Sequence, residues 1–515
     1  MALFAGLLRF VRLGTPHDII FDETYYVKDA WTMLMTGEAR NWPEKVGAAH
    51  TPIDQLFASG QTHLWLSSAE YVVHPPIGKW CIALGLRLFG GASNPFAWRA
   101  ATALAGTIAV LLLCRVAFQL FHNLPIALMA GFLMSIDGLG ITMSRTSLLD
   151  NFIMLFVLAA FSCLLSHRDW ALHRLQEAYK HDSHTGNFTV VETTRVFGGR
   201  RQQTKLLLNA RGPFIACSWW RLAAAILLGL ATATKWSGAY FFAIFAVTSV
   251  LWDSYARHQV GYRSWFTSAI LIDGLPAAAY MLPAWVITYL ASWAGWFIHP
   301  DSYMHNWAAS HRGEGVTWLP DSLRSFAEYH KEMWLFHTTL DTPHPYMSNP
   351  LTWPLQIRPT SFYWEELANN TGLCKLAPHA TCVAAITSLG NPILWWLACI
   401  CFITGLVICV FSQHGDWRFL AVTVGLLAGW LPWTQYLHRT TFTFYSIVIL
   451  PWMILAICYV AEWLRKNLTK SNYRITCRIT LVVIGLVSAF FYPIWTAVPV
   501  PYDFWLAHMW LPSWL

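Results

Sequence analysis

Apolar segments of membrane-crossing character recur along this 515-residue chain. About 20 such residues in a helix cross the roughly 30 Å hydrocarbon core of a bilayer. They lie near 97–120, 124–140, 148–165, 217–234, 236–252, 266–297, 391–411, 418–437, 441–462 and 477–498, beside a shorter first run from Ala2 to Leu13. Only 12% of the residues are charged, against about 25% in ordinary soluble domains, so the chain reads as an all-α polytopic membrane protein. The 30 Trp fit aromatic belts at the two interfaces. The net charge of +7 points to no nucleic acid, because the basic residues flank apolar segments, where they set orientation.

Loop charge orders these segments. Cytoplasmic loops are enriched in Lys and Arg. The loop 166–216 carries Arg168, Arg174, Lys180, Arg195, Arg200, Arg201, Lys205 and Arg211, and the stretch after 462 carries Arg465, Lys466, Lys470, Arg474 and Arg478. Both are expected inside. The loop 14–76 and the loop 298–390 are rich in Asp and Glu and are expected outside. This arrangement holds if Ile77 to Gly90, short and carrying Lys79 and Arg87, lies in the outer interface as an amphipathic helix. The result is about 11 transmembrane helices, N-terminus inside and C-terminus outside. Three regions follow: 1–297, with an outer loop 14–96 (interfacial helix 77–90) and a polar, partly disordered inner loop 166–216; a large outer loop 298–390; and the C-terminal helices 391–515. The first run, at about 1.5 Å per residue, spans only about 20 Å; either another element completes it or the true start lies upstream. Cys374 and Cys382 share a polar outer loop and can form a disulfide if it meets an oxidising compartment. Asn187-Phe188-Thr189 and Asn369-Asn370-Thr371 match the N-glycosylation pattern, the first on the inner side.

The unusual polar residues then fall on one side. Asp22-Glu23 follows the first run, His74-Pro75-Pro76 closes the first outer loop, Arg99 begins a span, and Arg145, Asp150, Lys235 and Arg439 sit at outer turns. A transporter places such groups near the midplane; here they ring the outer interface. Guanidinium and ammonium groups hold an anionic headgroup, and a carboxylate takes a proton from an attacking hydroxyl. Plainer roles compete: ion pairs at helix ends for Arg99, Arg145 and Asp150, a rigid helix entry for His74-Pro75-Pro76, snorkelling for Lys235, and helix capping for Asp22.

Several strings, in order, resemble the protein O-mannosyltransferases that use a polyprenyl phosphate mannose donor, in their bacterial, actinobacterial-like form. They are Phe21-Asp22-Glu23-Thr24-Tyr25-Tyr26, His74-Pro75-Pro76-Ile77-Gly78-Lys79-Trp80, Trp98-Arg99, Ser144-Arg145 with Leu149-Asp150-Asn151, Thr234-Lys235-Trp236-Ser237-Gly238, Trp353-Pro354-Leu355 with Arg358-Pro359, and Arg439-Thr440-Thr441-Phe442-Thr443-Phe444-Tyr445. The resemblance runs nearly end to end. It implies a GT-C glycosyltransferase fold and a multi-pass protein of the cell membrane with an extracytoplasmic active site. It further implies inverting transfer of mannose from polyprenyl phosphate mannose to Ser or Thr hydroxyls of polypeptides emerging near the secretion translocon. On that pattern Asp22 and Glu23 are catalytic, with Asp22 as base; Arg145, Lys235 and Arg439 bind the donor phosphate; His74, Arg99 and Asp150 support them. Neither a metal nor another cofactor is expected, since cationic side chains take the metal's part. Within the same architecture another lipid-linked sugar, such as aminoarabinose or arabinose, moved onto a lipid or glycan remains open, as does transport of a lipid-linked sugar. The loop 298–390 is too short for the three-lobed β-trefoil domain of eukaryotic members.

Overall fold

The computed structural model describes residues 1–184, 188–191, 204–207, 211–368, 371–377, 380–411 and 416–515. The chain begins with α1 (Ala2–Phe10), α2 (Glu23–Thr36), α3 (Ile77–Leu88) and α4 (Pro95–Phe121). The last shows how local sequence sets an end: the Asn94 side chain accepts from the Phe96 N–H, Pro95 fills the first turn, and His122 leaves in the left-handed conformation. Next come α5 (Leu124–Ile136), α6 (Gly138–Arg145), α7 (Asp150–His184), α8 (Trp219–Thr232) and α9 (Gly238–Val260). A span from Trp265 to Ser292 follows, and then α10 (Asp321–Thr339), α11 (Pro392–Phe411), α12 (Trp417–Trp430), α13 (Leu450–Asn467) and α14 (Lys470–Trp495).

All eleven expected segments fall on helical stretches, but fewer qualify as spans. Among the described residues seven helices are long and apolar enough to cross a membrane, or eight if α5 and α6, bent by 58°, count as one. The remaining segments are α1, α8 and α12, of 9, 14 and 14 residues. Pro432 explains the short α12: a proline inside a helix clashes with the preceding turn, and the chain tightens into a 3-10 stretch from Leu431 to Gln435. The loop expected at 166–216 starts later than the sequence suggests, because α7 continues well past residue 165 to His184. Parts of that loop (185–187, 192–203 and 208–210), Asn187 and the pair Asn369-Asn370 lie outside the described residues.

The expectation of an all-α chain also needs amending. The loop 298–390 contributes α10 and two strands, β1 (Thr360–Leu367) and β2 (Cys382–Ser388), joined by β3 (Val500–Pro501) into an antiparallel sheet with β2 in the middle. Thr360-Ser361-Phe362-Tyr363-Trp364 and Val383 to Thr387 are rich in aromatic and β-branched residues, which fit a half-buried pleated surface. Cys374 and Cys382 are joined by a disulfide beside the start of β2.

Buried polar groups tie the short elements in. Arg9 is fully buried and donates from Nη1 to the Ser135 carbonyl at 3.3 Å, from Nη2 to the Met134 carbonyl at 3.1 Å and from Nε to Ser144 Oγ at 3.1 Å, so α1 satisfies the end of α5. Gly106 permits this approach, since a Cβ there would collide with Ser144 Oγ. At the α5/α6 bend, Asp137 accepts from the N–H of Gly140, the N–H of Asn391 and the indole of Trp395, each at 3.0 Å. Asp137→Ala strands all three donors, and each buried donor left unmet costs about 1–3 kcal/mol. The expected result is a marked drop in the thermal unfolding temperature of the detergent-solubilised protein.

Candidate active site

The loop between α1 and α2 is shaped by one guanidinium. Arg99, on the first turns of α4 and fully buried, donates to the carbonyls of Leu13 (3.3 Å), Pro16 (2.8 Å) and Asp18 (2.9 Å). Its Nε and Nη2 grip both oxygens of Glu23 at 2.8 Å. Glu23 accepts two further N–H bonds, from Ile20 at 3.2 Å and Ser147 at 2.9 Å. Both oxygens of Glu23 are therefore occupied, and the residue helps to shape the loop.

Asp22 is placed differently by being one residue earlier. It is the N-cap of α2, yet its own backbone is already helical (φ −70°, ψ −1°) and its side chain makes no capping bond. Caps that bond the N2 or N3 amide usually have extended backbones. Among the described residues its carboxylate has no hydrogen bond and no ion pair. Burial pushes it up to about 6, against the pull of Lys235 and with the help of Asp150.

Lys235 and Asp150 form a buried ion pair at 2.8 Å, and the Lys235 ammonium lies 4.6 Å from the centre of the Tyr445 ring. Lys235 also lines a cavity of about 410 Å³ with His74, His337, Trp236, Trp433 and Arg439. Arg439 is 7% exposed and, among the described residues, has no carboxylate partner. Its Nη2 reaches His337 Nδ1 at 3.4 Å, its guanidinium lies 5.8 Å from the Trp433 ring centre, and its Nε is buried without a partner. A buried cation left in this state suits an arriving anion. His74 and His337 stack with ring centres 5.0 Å apart. Burial and Lys235 hold His74 well below its ordinary range, and burial brings His337 to about 4, so both are neutral near pH 7.

The structure thus brings Asp22, Asp150, Lys235, His74 and Arg439 together, with Glu23 and Arg99 behind them. Arg145 does not join them. Its Nη1 and Nη2 donate to the carbonyls of Arg9 (2.9 Å), Val11 (2.7 Å) and Arg12 (2.9 Å); the last carbonyls of a helix lack intrahelical partners, and Arg145 supplies them for α1. In this structure the donors expected to meet a phosphate are engaged by these carbonyls. Sequence reasoning missed His330, Trp334 and His337, which α10 aims into the cavity. Their spacing of four and then three residues was the available signal. His337 Nε2 sits 2.6 Å from the Val73 carbonyl, and Tyr329 Oη bonds both the N–H and the carbonyl of Val72, which fasten α10 beside His74. No cluster of three or more His, Cys, Asp or Glu suited to a metal occurs among the described residues.

The chain matches the family described as "Dolichyl-phosphate-mannose-protein mannosyltransferase" over residues 73–175 and that described as "C-terminal four TMM region of protein-O-mannosyltransferase" over residues 322–514. A polyprenol-phosphate-mannose–protein mannosyltransferase of Mycolicibacterium smegmatis (strain MKD8) is 32% identical over 99% of this chain and 91% of its own length. A protein of the same description from Corynebacterium glutamicum is 29% identical over 100% of this chain and 92% of its own. The Saccharomyces cerevisiae protein O-mannosyltransferase Pmt1-Pmt2 complex bound to the sugar donor superimposes with a TM-score of 0.70 at 14% identity, covering 100% of this chain and 91% of that one. The fold is accordingly the helical membrane fold of that solved protein O-mannosyltransferase. The chain belongs to the protein O-mannosyltransferase family.

Removing one partner of a buried ion pair typically costs about 3–5 kcal/mol. Glu23→Ala is expected to lower the unfolding temperature strongly, while Asp22→Asn leaves it unchanged. Equal unfolding temperatures for Glu23→Ala and the wild type would contradict the division of labour between the two carboxylates.

Proposed function

We propose that this chain transfers mannose, with inversion, from polyprenyl phosphate mannose to Ser or Thr hydroxyls of polypeptides at the outer face of the cell membrane. One observation carries the reading: a carboxylate with no hydrogen bond or ion pair and a buried guanidinium with no carboxylate partner, both among the described residues, gathered around the Lys235–Asp150 pair. The names of the mycobacterial and corynebacterial relatives support the donor and acceptor classes.

The reaction divides among these groups. Arg439 and Lys235 hold the phosphate oxygens of the donor. The acceptor oxygen attacks C1 from the face opposite the phosphate as its proton passes to an Asp22 oxygen. The C1–O bond breaks with its electron pair on the phosphate, which departs as a stable anion and needs no acid. Inversion converts the β-linked donor into an α-linked product. Asp150 keeps Lys235 in position, and the neutral His74 and His337 add no competing charge near the phosphate. The cationic side chains take the neutralising part that a metal plays in other enzymes of this fold.

The side of the membrane is argued from chemistry. The hairpin bearing the Cys374–Cys382 disulfide packs Phe362 on Phe21 at 4.7 Å between ring centres, next to Asp22. Disulfides persist in oxidising surroundings, and the basic loops favour the inner side. An outward site meets hydroxyls best on chains still unfolded as they leave the secretion channel.

Asp22→Asn is expected to lower transfer to a Ser/Thr peptide by about 10²–10⁴-fold; wild-type turnover in this variant removes Asp22 as the base. Because the base acts ionised, kcat/KM should fall as the pH drops through about 6, a limb absent from the residual activity of Asp22→Asn. Arg439→Ala is expected to raise the donor KM by roughly ten- to a hundredfold, the worth of a charged hydrogen bond. An unchanged donor KM would take Arg439 out of phosphate binding.

A further inference from the structure

The outer edge of β1 has no strand partner among the described residues, since β1 pairs with β2 alone. Its direction follows from the register. In an antiparallel sheet, successive residues turn their N–H and C=O to alternate neighbours. The Ala385 carbonyl accepts from Ala497 N–H at 3.2 Å, and Val383 pairs with Val500, so both residues of β2 face the β3 side. Their partners across the other ladder are Trp364 and Glu366. These two residues therefore turn their backbone donors and acceptors away from β2, to the open edge. Trp364 is 43% exposed, and Glu365 and Glu366 are exposed beside it.

Unpaired strand edges attract another extended chain, and addition of a strand is a recurring way to hold a peptide by its main chain. The edge lies close to the proposed base. Phe362, two residues before Trp364, stacks on Phe21, which precedes Asp22. Phe362 also packs on Phe444, five residues beyond Arg439. We propose that the acceptor polypeptide docks in extended form along the outer edge of β1, bonding the backbone of Trp364 and Glu366, and so carries its Ser or Thr hydroxyl to Asp22. This rests on the mannosyl-transfer reading above and adds to it how the acceptor is held. Main-chain pairing does not read side chains, so the edge accepts many sequences and requires only a segment without fixed structure. The disulfide braces the same ladder from the far side, because Cys382 lies opposite Leu367 at the end of β1.

The test uses the full-length protein and a fluorescent Ser-centred peptide made in two N-methylated forms, with methyl groups on alternate amides in one register or the other. Only one register faces the strand. That form is expected to bind about tenfold more weakly than the unmodified peptide, the worth of roughly two hydrogen bonds, with an equal rise in acceptor KM; the other form should match the unmodified peptide. On the protein side, Glu366→Pro removes one outward N–H and should raise acceptor KM at constant donor KM, whereas Glu366→Gln should leave both unchanged. Equal effects of the two registers, or of neither, overturn the docking mode. Binding is read by anisotropy and transfer by mannose incorporation. Register-dependent binding without mannose incorporation therefore upholds the docking edge and overturns the transfer reading, while register-independent transfer does the reverse.

Discussion

The ion pair between Arg99 and Glu23 underlies the site. A single guanidinium, fully buried, collects three carbonyls of the loop after α1 and both oxygens of the carboxylate that opens α2. Taking two charges out of water is costly and is offset only by good geometry with the remaining hydrogen bonds filled. Here they are filled, by Ser147 and Ile20 on the carboxylate side. What the pair supports is its neighbour. Because the loop is held from behind, Asp22 stands at the head of α2 with nothing bonded to its own carboxylate. Two adjacent acids thus acquire opposite characters, one saturated and one free.

The cations divide in the same way. Arg9 and Arg145 spend their donors on carbonyls at helix ends and Lys235 is matched by Asp150, whereas Arg439 keeps a buried Nε without a partner. The plane of Trp433 lies beside it, so an incoming anion meets a guanidinium already backed on one face. Charge alone would not separate these arginines; what separates them is whether backbone acceptors lie within reach.

Much of this was legible in the sequence. The apolar segments followed from hydropathy and the family from the order of short motifs; of the polar residues singled out, Asp22, His74, Asp150, Lys235 and Arg439 lie near one another, and Arg145 lies apart. The number of spans did not, because hydropathy registers apolar length but not where Pro432 ends a helix or where α5 and α6 bend at Asp137. The place of Arg145 was not legible, because its partners are backbone carbonyls at the end of α1, far away in sequence and without any side-chain signature. His330 and His337 lay in a stretch read only as an acidic outer loop, although their spacing on one helix could have marked them. The sheet escaped notice because its third strand, Val500–Pro501, is only two residues long and comes from the far end of the chain.

One helix sets the scale of the molecule. With 35 residues, α7 is about 50 Å long at 1.5 Å per residue, well beyond the roughly 30 Å of hydrocarbon. Its first residue is Asp150, and at its midpoint sit His167, bound to Asp253, and Arg168, stacked over Trp417 at 3.4 Å. The counter-ion of Lys235 is thus the tip of a rod clamped about halfway along its length. Such a mounting resists sliding of the helix along its own axis, which keeps the carboxylate that neutralises the lysine at a fixed depth.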